Sequence, residues 1–142
     1  NKIIYIIGHY ITVKLKIKKF NRFTDKTGSL IPFYSNLHYS NFKLRRFFFI
    51  YGNTKHPRAS HAHKKCNQIL IPIKGQMITQ ITTKNNKKYN FNLSTKNKKF
   101  LTVPKQHWIK ILFRTKNSIL LTLCDYKYDQ KEYIYNIGKF IR

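Results

Sequence analysis

The stretch "PRASHAHKKCNQILIPIKGQ", residues 57–76, places two histidines two positions apart ahead of a mostly apolar run. Because residues two apart on a strand point to the same face, His61 and His63 are expected to project together, with Ala62 turned away. In a barrel that face can be the interior, whose mouth commonly holds a small ligand. Three interpretations of the pair are therefore open: metal ligands, proton-transfer groups, or polar residues that face solvent.

The rest of the chain favours β-structure. Its 142 residues suit one domain with a single core. Hydrophobic residues make up 42% of the chain and aromatic residues 15%, which excludes a disordered basic tail. Ile, Phe and Tyr dominate the apolar set, and these types favour pleated, half-buried strands. About nine or ten short strands, with turn signals roughly every 8–12 residues, are typical of a β-sandwich or a small barrel.

Only one segment is predicted to be helical, "DQKEYIYNIGKF" at residues 129–140. On a helix, Tyr133, Ile137 and Phe140 share one face, and Asp129 is the expected N-cap. The predicted fold class is therefore all-β with a short C-terminal helix.

The charge of the chain is strongly one-sided. It carries 29 Lys and Arg against four acids, for a net charge of +25, and the acids are Asp25, Asp125, Asp129 and Glu132. The middle of the chain, residues 26–124, therefore cannot supply paired carboxylates for acid–base chemistry or a carboxylate-rich Mg²⁺ or Ca²⁺ site. So positive a field attracts the phosphates of nucleotides or of nucleic acid. Codon bias of an AT-rich genome is the alternative source of the lysines.

The cysteines and the apolar runs predict a cytoplasmic protein without a membrane anchor. Cys66 and Cys124 are far apart and have no CxxC spacing, so buried free thiols are expected rather than a disulfide framework or a zinc knuckle. The longest apolar runs are too short to span a bilayer. "IIYIIGHYI" near the start lacks a following small-residue cleavage site and is predicted to be a strand.

Several motifs occur in an order that resembles one known family. "RASHAHK" is followed by Gln68 and by a turn at Gly75; "DKTGSLIPF" and "RRFFFIYG" precede it, and "VPKQHW" and "CDYKYDQKEYIYNIGKF" follow. Together they resemble the sugar-nucleotide 3,4-ketoisomerases, which have a cupin fold. The resemblance implies a double-stranded β-helix, or jelly-roll barrel, over residues 22–142. Residues 1–21 are then an N-terminal strand extension.

The resemblance also implies an activity. Members of the family move the carbonyl of a dTDP-linked 4-keto-6-deoxy-hexose from C4 to C3 without a metal or redox cofactor. One proton must leave C3 and another must reach C4, and imidazole titrates in the range where it can do both. The resemblance assigns His61 and His63 as the acid–base pair. The residues that it assigns to substrate binding are Arg46, Arg58, Lys64, Gln68 and Trp108.

A metal site is the rival use of an HxH pair in a cupin. Metal-binding cupins follow the pair with a Glu and add a later His. In this chain Gln68 stands at the Glu position, and His107 is the one candidate for the later ligand. Two or three imidazoles alone are a weak ligand set, so no metal and no other cofactor is predicted.

The chain departs from the family at functional positions. The family's Tyr in the "FFFI" strand is Phe49, an Arg becomes Thr27, a Glu becomes Tyr34, and the Gly after Arg58 becomes Ala59. Loss of a general acid costs about 10²–10⁴ in rate. The alternative function is therefore a catalytically degenerate cupin whose Lys, Arg, Tyr and Phe side chains bind RNA or the ribosome.

The expected assembly is a homodimer. Cupins of this type pair through their sheets, and the apolar N-terminal strands offer an edge that must be covered. Exchange of these strands between two copies is the predicted mode.

Overall fold

A computed structural model describes residues 13–34 and 42–142. The regular secondary structure of this part of the chain is almost entirely β-strand, which confirms the predicted fold class. The strands are β1 (Lys16–Lys19), β2 (Phe23–Asp25), β3 (Gly28–Leu30), β4 (Arg46–Tyr51), β5 (Arg58–His63), β6 (Gln68–Lys74), β7 (Gln76–Thr82), β8 (Lys88–Ser94), β9 (Lys99–Val103), β10 (Trp108–Phe113), β11 (Ile119–Cys124) and β12 (Tyr133–Ile134).

Two five-stranded antiparallel sheets form the barrel. One has the strand order β1-β9-β6-β11-β4 and the other β12-β5-β10-β7-β8, while β2 and β3 form a separate hairpin. The main core cluster lies between the sheets and draws on both of them, with Leu70 and Leu120 from the first sheet and Met77, Ile81 and Ile111 from the second. Burial of each such side chain contributes about 1.5–3 kcal/mol. This is the jelly-roll arrangement expected of a cupin.

Strand β4 shows how alternation divides the side chains between the pocket and the surface. Arg46, Phe48 and Ile50 are half-buried, whereas Phe47 and Tyr51 are exposed by 59% and 74%. β4 is an edge strand, so no strand covers the side of it that faces away from β11. Its outward aromatic side chains therefore have a strand neighbour on one side only.

The start of the described chain belongs to the barrel. β1 lies inside the predicted N-terminal extension and pairs antiparallel with β9, from Lys16 opposite Thr102 to Lys19 opposite Lys99. Residues 1–12, which include the predicted strand "IIYIIGHYI", lie outside the described residues. The boundary at residue 22 and the strand exchange stay predictions.

The C-terminal helix is shorter than predicted. Gln130–Glu132 form a single 3-10 turn capped by Asp129, Tyr133–Ile134 form β12, and only Ile137–Phe140 are α-helical; this helix is α1. A continuous helix with Tyr133 on its inner face is therefore wrong. The backbone at β12 is extended because it pairs with β5, and this long-range pairing overrides the local helical periodicity.

Within residues 13–34 and 42–142, no helix is long and apolar enough to cross a membrane. The cytoplasmic location stays a prediction.

Candidate active site

The histidine strand is bent immediately before its first histidine. The register of β5 against β10 shifts between Ile109 and Lys110, and Ala59 and Ser60 have φ values of 67° and 58°. A bulge of this kind kinks the strand and re-aims the side chains that follow it. A left-handed backbone favours glycine, and glycine is the residue that the similar family has at the position of Ala59.

The two histidine rings meet each other directly. Nε2 of His61 lies 3.1 Å from Nε2 of His63, and the rings pack edge to face with centroids 4.8 Å apart. Ala62 points to the other side of β5 and packs in a buried cluster with Trp108 and Phe140. The placement of the two imidazoles on one face follows from their spacing on the strand.

A carboxylate that the sequence analysis missed completes the group. Nδ1 of His63 is hydrogen-bonded to Oε1 of Glu132, and the backbone N–H of Lys65 donates to Oε2 of Glu132 at 3.1 Å. His63 and Glu132 are each only 2% exposed. The pair is separated by 69 residues in sequence, so no local spacing announces it. The one available signal was that Glu132 is among only four acids in the chain.

A cavity of about 280 Å³ opens beside His61. Side chains from both sheets line it: Arg46, Phe48, Phe49, Ile50, Arg58, Ala59, His61, Gln68, Leu70, Ile109, Ile111, Thr122 and Tyr133. His63 is not among them, because it lies behind His61 in the protein. A largely apolar pocket with a few convergent polar groups is the usual form of a small-molecule site.

Two polar atoms at this pocket are buried without a hydrogen-bond partner among the described residues. They are Nε of Arg46 and the hydroxyl oxygen of Thr122. Buried polar groups are nearly always satisfied in folded proteins, so such atoms in a pocket are natural places for the polar groups of a ligand.

Arg46 and Tyr133 form the cationic side of the pocket. Nη2 of Arg46 donates a hydrogen bond of 3.1 Å to the hydroxyl of Tyr133, and its guanidinium carbon lies 5.2 Å from the ring centroid of Phe48. The Tyr133 ring centroid is 4.4 Å from that of His63 and 4.9 Å from that of His61. Burial raises the pKa of Tyr133, against the opposing effect of Arg46, so its hydroxyl keeps its proton at neutral pH.

Burial lowers the pKa of His61 to about 4, with a further contribution from the adjacent His63 ring. The pKa of His63 is also lowered by burial, although the hydrogen bond to Glu132 and its negative charge act in the opposite direction. Both rings are therefore neutral at physiological pH. A neutral imidazole at a pocket wall is free to accept a proton.

The predicted site residues fall into two groups. Arg46, Arg58, His61 and Gln68 line the pocket. His63 lies behind them. Lys64 is exposed and its Nζ donates to the carbonyl oxygen of Lys131 at 2.9 Å, and Trp108 is 7% exposed and packs against Phe140 at 6.0 Å between ring centroids. The structure does not bring Lys64 or Trp108 to the pocket lining, and their roles in substrate binding stay predictions.

Of the residues that depart from the family pattern, some line the pocket and others do not. Phe49 lines the pocket and is 49% exposed. Thr27 lies in the β2–β3 hairpin, where its backbone N–H donates to Asp25 at 2.7 Å, and Tyr34 is 53% exposed; neither lines the pocket.

The thiols are free and buried, as predicted. Sγ of Cys124 accepts long hydrogen bonds from Nε2 of Gln68 at 3.7 Å and from Nη2 of Arg46 at 3.8 Å. Hydrogen bonding from the Cys66 thiol lowers the pKa of Cys124, and the same interaction raises the pKa of Cys66. The sulfur of Cys124 therefore lies next to the guanidinium of Arg46.

One group of side chains has the donor atoms for a metal ion. Ligand atoms of His63, Cys66 and Glu132 lie within 4.8 Å of one another, and all three residues are buried. However, Nδ1 of His63 and Oε1 of Glu132 are already in direct hydrogen-bond contact with each other. The two side chains would have to separate before an ion could enter, so the geometry is that of a hydrogen-bonded pair.

Comparison with solved structures reveals close similarities. A 3,4-ketoisomerase from Helicobacter canadensis is 26% identical with a TM-score of 0.82, over 91% of this chain and 96% of that chain. The WlaRB TDP-quinovose 3,4-ketoisomerase from Campylobacter jejuni is 27% identical with a TM-score of 0.81, over 89% and 96%. QdtA, a sugar 3,4-ketoisomerase from Thermoanaerobacterium thermosaccharolyticum solved in complex with TDP, is 25% identical with a TM-score of 0.80, over 89% and 91%. No curated protein sequence matches the chain significantly.

Fold and pocket thus define a cupin barrel of the kind found in sugar-nucleotide 3,4-ketoisomerases. The family model described as "FdtA: WxcM-like, C-terminal" matches residues 13–142, and the chain belongs to that family. This confirms the resemblance drawn from the motifs.

Proposed function

We propose that the protein is a sugar-nucleotide isomerase that moves the carbonyl of a dTDP-4-keto-6-deoxy-hexose from C4 to C3. The observation that carries the proposal is the neutral imidazole of His61 at the wall of a pocket, backed by a second imidazole at 3.1 Å. Family membership and the similar solved ketoisomerases support the same class of reaction.

The reaction needs only proton transfers. His61 removes the proton from C3, which is acidic because it is adjacent to the C4 carbonyl, and the electron pair of the C–H bond forms a C3=C4 double bond. The O4 oxyanion of this enediol faces the Arg46 side of the pocket, where a guanidinium stabilises developing negative charge. The O3 proton passes to O4, and return of a proton to C4 then forms the C3 carbonyl and the C4 hydroxyl. No oxidant or reductant is consumed.

Binding of the diphosphate is assigned to the positive side chains near the pocket. Arg58 lines the pocket and is exposed, so its guanidinium is available for bidentate contacts with phosphate oxygens. Lys64 is the second cation in the proposal, although it must leave its contact with the Lys131 carbonyl to take part. Gln68 and the unpartnered hydroxyl of Thr122 supply neutral polar contacts deeper in the pocket.

The proposal is tested by incubating the protein with dTDP-4-keto-6-deoxyglucose and following the sugar by NMR. We expect the signals of the 4-keto substrate to be replaced by those of a 3-keto product, and the His61→Asn variant to lose the conversion. An unchanged substrate after prolonged incubation with folded wild-type protein would contradict the proposal.

RNA binding is the second candidate function, and one structural feature favours it. Tyr89 and Phe91 stack on edge strand β8 with ring centroids 6.5 Å apart and an interplanar angle of 26°, next to the exposed Lys88. Stacked aromatic side chains beside lysines suit single-stranded nucleic acid. Salt-sensitive retention of a single-stranded RNA that Tyr89→Ala weakens, together with an absence of isomerase activity, would favour this candidate.

We propose that the protein acts as a homodimer. Phe47 and Tyr51 on edge strand β4 are 59% and 74% exposed, and Ile73 on the same sheet is 45% exposed. Apolar side chains clustered on an outer sheet face are typical of an interface. A second copy of the chain is the proposed partner of this face.

A further inference from the structure

We infer that the hydroxyl of Tyr133 carries the O3 proton to O4 in the proposed isomerisation. The inference rests on the proposed function and supplies a carrier for its one oxygen-to-oxygen transfer. Tyr133 is a catalytic residue in this scheme, because its oxygen exchanges protons with the reacting atoms.

Tyr133 lies where such a carrier is needed. It lines the cavity together with His61 and Arg46. Because β12 pairs with β5, the centroid of the Tyr133 ring lies 4.9 Å from that of the His61 ring. The hydroxyl lies 3.1 Å from Nη2 of Arg46, the cation that the proposed function places against O4. The phenol is therefore adjacent both to the base assigned to C3 and to the cation assigned to O4.

The hydrogen bonding of this hydroxyl leaves its own proton available. A guanidinium has donors and no acceptor, so Arg46 donates and the oxygen of Tyr133 accepts. This is the only hydrogen bond of the hydroxyl among the described residues, and its O–H proton has no acceptor there. A phenolic oxygen that has given up its proton holds a further lone pair and is able to receive another proton. One such atom is sufficient to move a proton between two oxygens on neighbouring carbons.

Acidity distinguishes Tyr133 from the other polar groups of the cavity. Thr122 also presents an unpartnered hydroxyl, but an aliphatic alcohol is a much weaker acid than a phenol. Phe49 has no hydroxyl, and Tyr133 is the only tyrosine among the described residues that line the cavity. Burial raises the pKa of Tyr133, which keeps the phenol protonated at rest. The hydrogen bond and the charge of Arg46 act in the opposite direction and favour the phenolate that forms during the transfer.

The proposed step conserves protons and electrons. Removal of the C3 proton leaves O4 as the oxyanion while O3 still carries its proton. The O–H bond of Tyr133 breaks as its proton passes to O4, and the phenolic oxygen takes the proton of O3. The electron pair left on O3 forms the C3 carbonyl as C4 receives its proton. Tyr133 ends the step with one proton, as it began.

The test measures two steps of the reaction separately, in heavy water with dTDP-4-keto-6-deoxyglucose. Deuterium wash-in at C3 reports proton removal by His61, which precedes the transfer between oxygens. The NMR signals of the 3-keto product report the complete reaction. For Tyr133→Phe we expect wash-in within about tenfold of the wild-type rate and product formation about 10²–10⁴-fold slower. A merely structural role of Tyr133 would lower both rates together.

Tyr135→Phe is the matched control. Tyr135 stacks on Tyr133 with ring centroids 5.7 Å apart, is 61% exposed and does not line the cavity, so both of its rates should equal those of the wild type. A Tyr133→Phe enzyme that forms product at the wild-type rate, or that loses wash-in and product formation in equal proportion, would overturn the assignment and leave the isomerase proposal intact. A wild-type protein that gives neither wash-in nor product would contradict the isomerase proposal itself, and the carrier with it.

A second variant preserves the acceptor of Arg46, which Tyr133→Phe removes. Replacement of Tyr133 by 3,5-difluorotyrosine retains the hydroxyl and makes the phenol more acidic. The titratable and charged groups around this side chain come from β4, β5, β11 and the neighbouring C-terminal segment: Arg46, His61, His63, Cys124, Tyr128, Glu132 and Tyr135.

Because an ionised phenol has no proton to give, product formation by the difluorotyrosine variant should be lost above a lower pH than in the wild type. The alkaline limb of C3 wash-in should stay in place, since that step does not use the phenol. An alkaline limb of product formation at the wild-type pH would overturn the assignment.

Discussion

The guanidinium of Arg46 donates a 3.1 Å hydrogen bond to the hydroxyl of Tyr133, and this contact joins the free edges of the two sheets. Arg46 lies on β4, the last strand of one sheet, and Tyr133 lies on β12, the last strand of the other. No sheet hydrogen bond joins these two strands in the described structure, so side chains hold the barrel together beside the pocket.

Removal of this contact should destabilise the barrel. Tyr133→Phe deletes the hydroxyl and leaves the half-buried Arg46 without its oxygen acceptor. A hydrogen bond to a charged group contributes about 1.5–3 kcal/mol. Because Arg46 and Tyr133 are partly exposed to solvent, the expected loss of unfolding free energy lies near the lower end of this range. Urea denaturation measures it.

Tyr135→Phe is the matched control. Tyr135 stacks on Tyr133 with centroids 5.7 Å apart and is 61% exposed, so loss of its hydroxyl should change stability by less than about 0.5 kcal/mol. Equal losses in the two variants would show that the Arg46–Tyr133 bond does not hold the edges together.

Thr122→Val should have opposite effects on stability and on ligand binding, or affect ligand binding alone. The Thr122 hydroxyl is buried without a partner among the described residues, so its replacement by a methyl group should leave stability unchanged or raise it by up to about 1 kcal/mol. The same change should weaken binding of TDP, measured by calorimetry, if the hydroxyl serves the ligand.

The control for this prediction is Thr79→Val. Thr79 on β7 has the same buried, unpartnered hydroxyl but does not line the pocket. It should reproduce the stability effect and leave TDP affinity at the wild-type value. Equal affinities for both variants would mean that Thr122 does not contact the nucleotide.

Stability should fall on mild acidification. The pKa of His61 is about 4 in the folded protein, below its ordinary value of 6.5, so between these values the unfolded chain binds more protons than the folded one. The stabilisation is therefore complete above pH 6.5 and is lost as the pH falls towards 4. Denaturation midpoints at a series of pH values measure this slope.

His61→Asn should flatten that slope, and His107→Asn, which replaces an imidazole outside the pocket, is the control. A slope as steep in His61→Asn as in the wild type would mean that another group is responsible. The lowered pKa of His63 acts in the same direction, so some slope should remain in the variant.

The features of the fold that depend on local chemistry were predictable from the sequence. The turn at Gly75 was predicted, and Gly75 has a φ of 81°, a conformation that favours glycine. A side chain there would also come within 2.3 Å of the Ser118 hydroxyl. Alternation along β5 likewise placed His61 and His63 together, because strand periodicity acts over two residues.

The features that depend on distant parts of the chain were not predictable. Glu132 reaches His63 only because β12 pairs with β5, and nothing near either residue indicates that pairing. The same pairing converts Tyr133 from a predicted helical residue into a strand residue at the pocket. Local periodicity predicts secondary structure poorly wherever pairing in a sheet stabilises a short segment more than helical hydrogen bonds would.

The proposed dimer predicts that a charge on β4 produces monomers. Phe47→Glu places a carboxylate on the exposed apolar face without touching the pocket lining. We expect light scattering to give about half the wild-type mass. Tyr89→Glu alters an aromatic residue of similar exposure on β8, the edge strand of the other sheet, and should leave the mass unchanged. A monomeric wild-type protein would contradict the proposal.

The most direct measurement is deuterium wash-in at C3 of dTDP-4-keto-6-deoxyglucose in heavy water, compared between wild-type protein and His61→Asn. The account predicts rapid replacement of the C3 hydrogen by deuterium with the wild type, slowed about 10²–10⁴-fold in the variant. Exchange at the same rate in both proteins, or no exchange above the protein-free background in either, would contradict it.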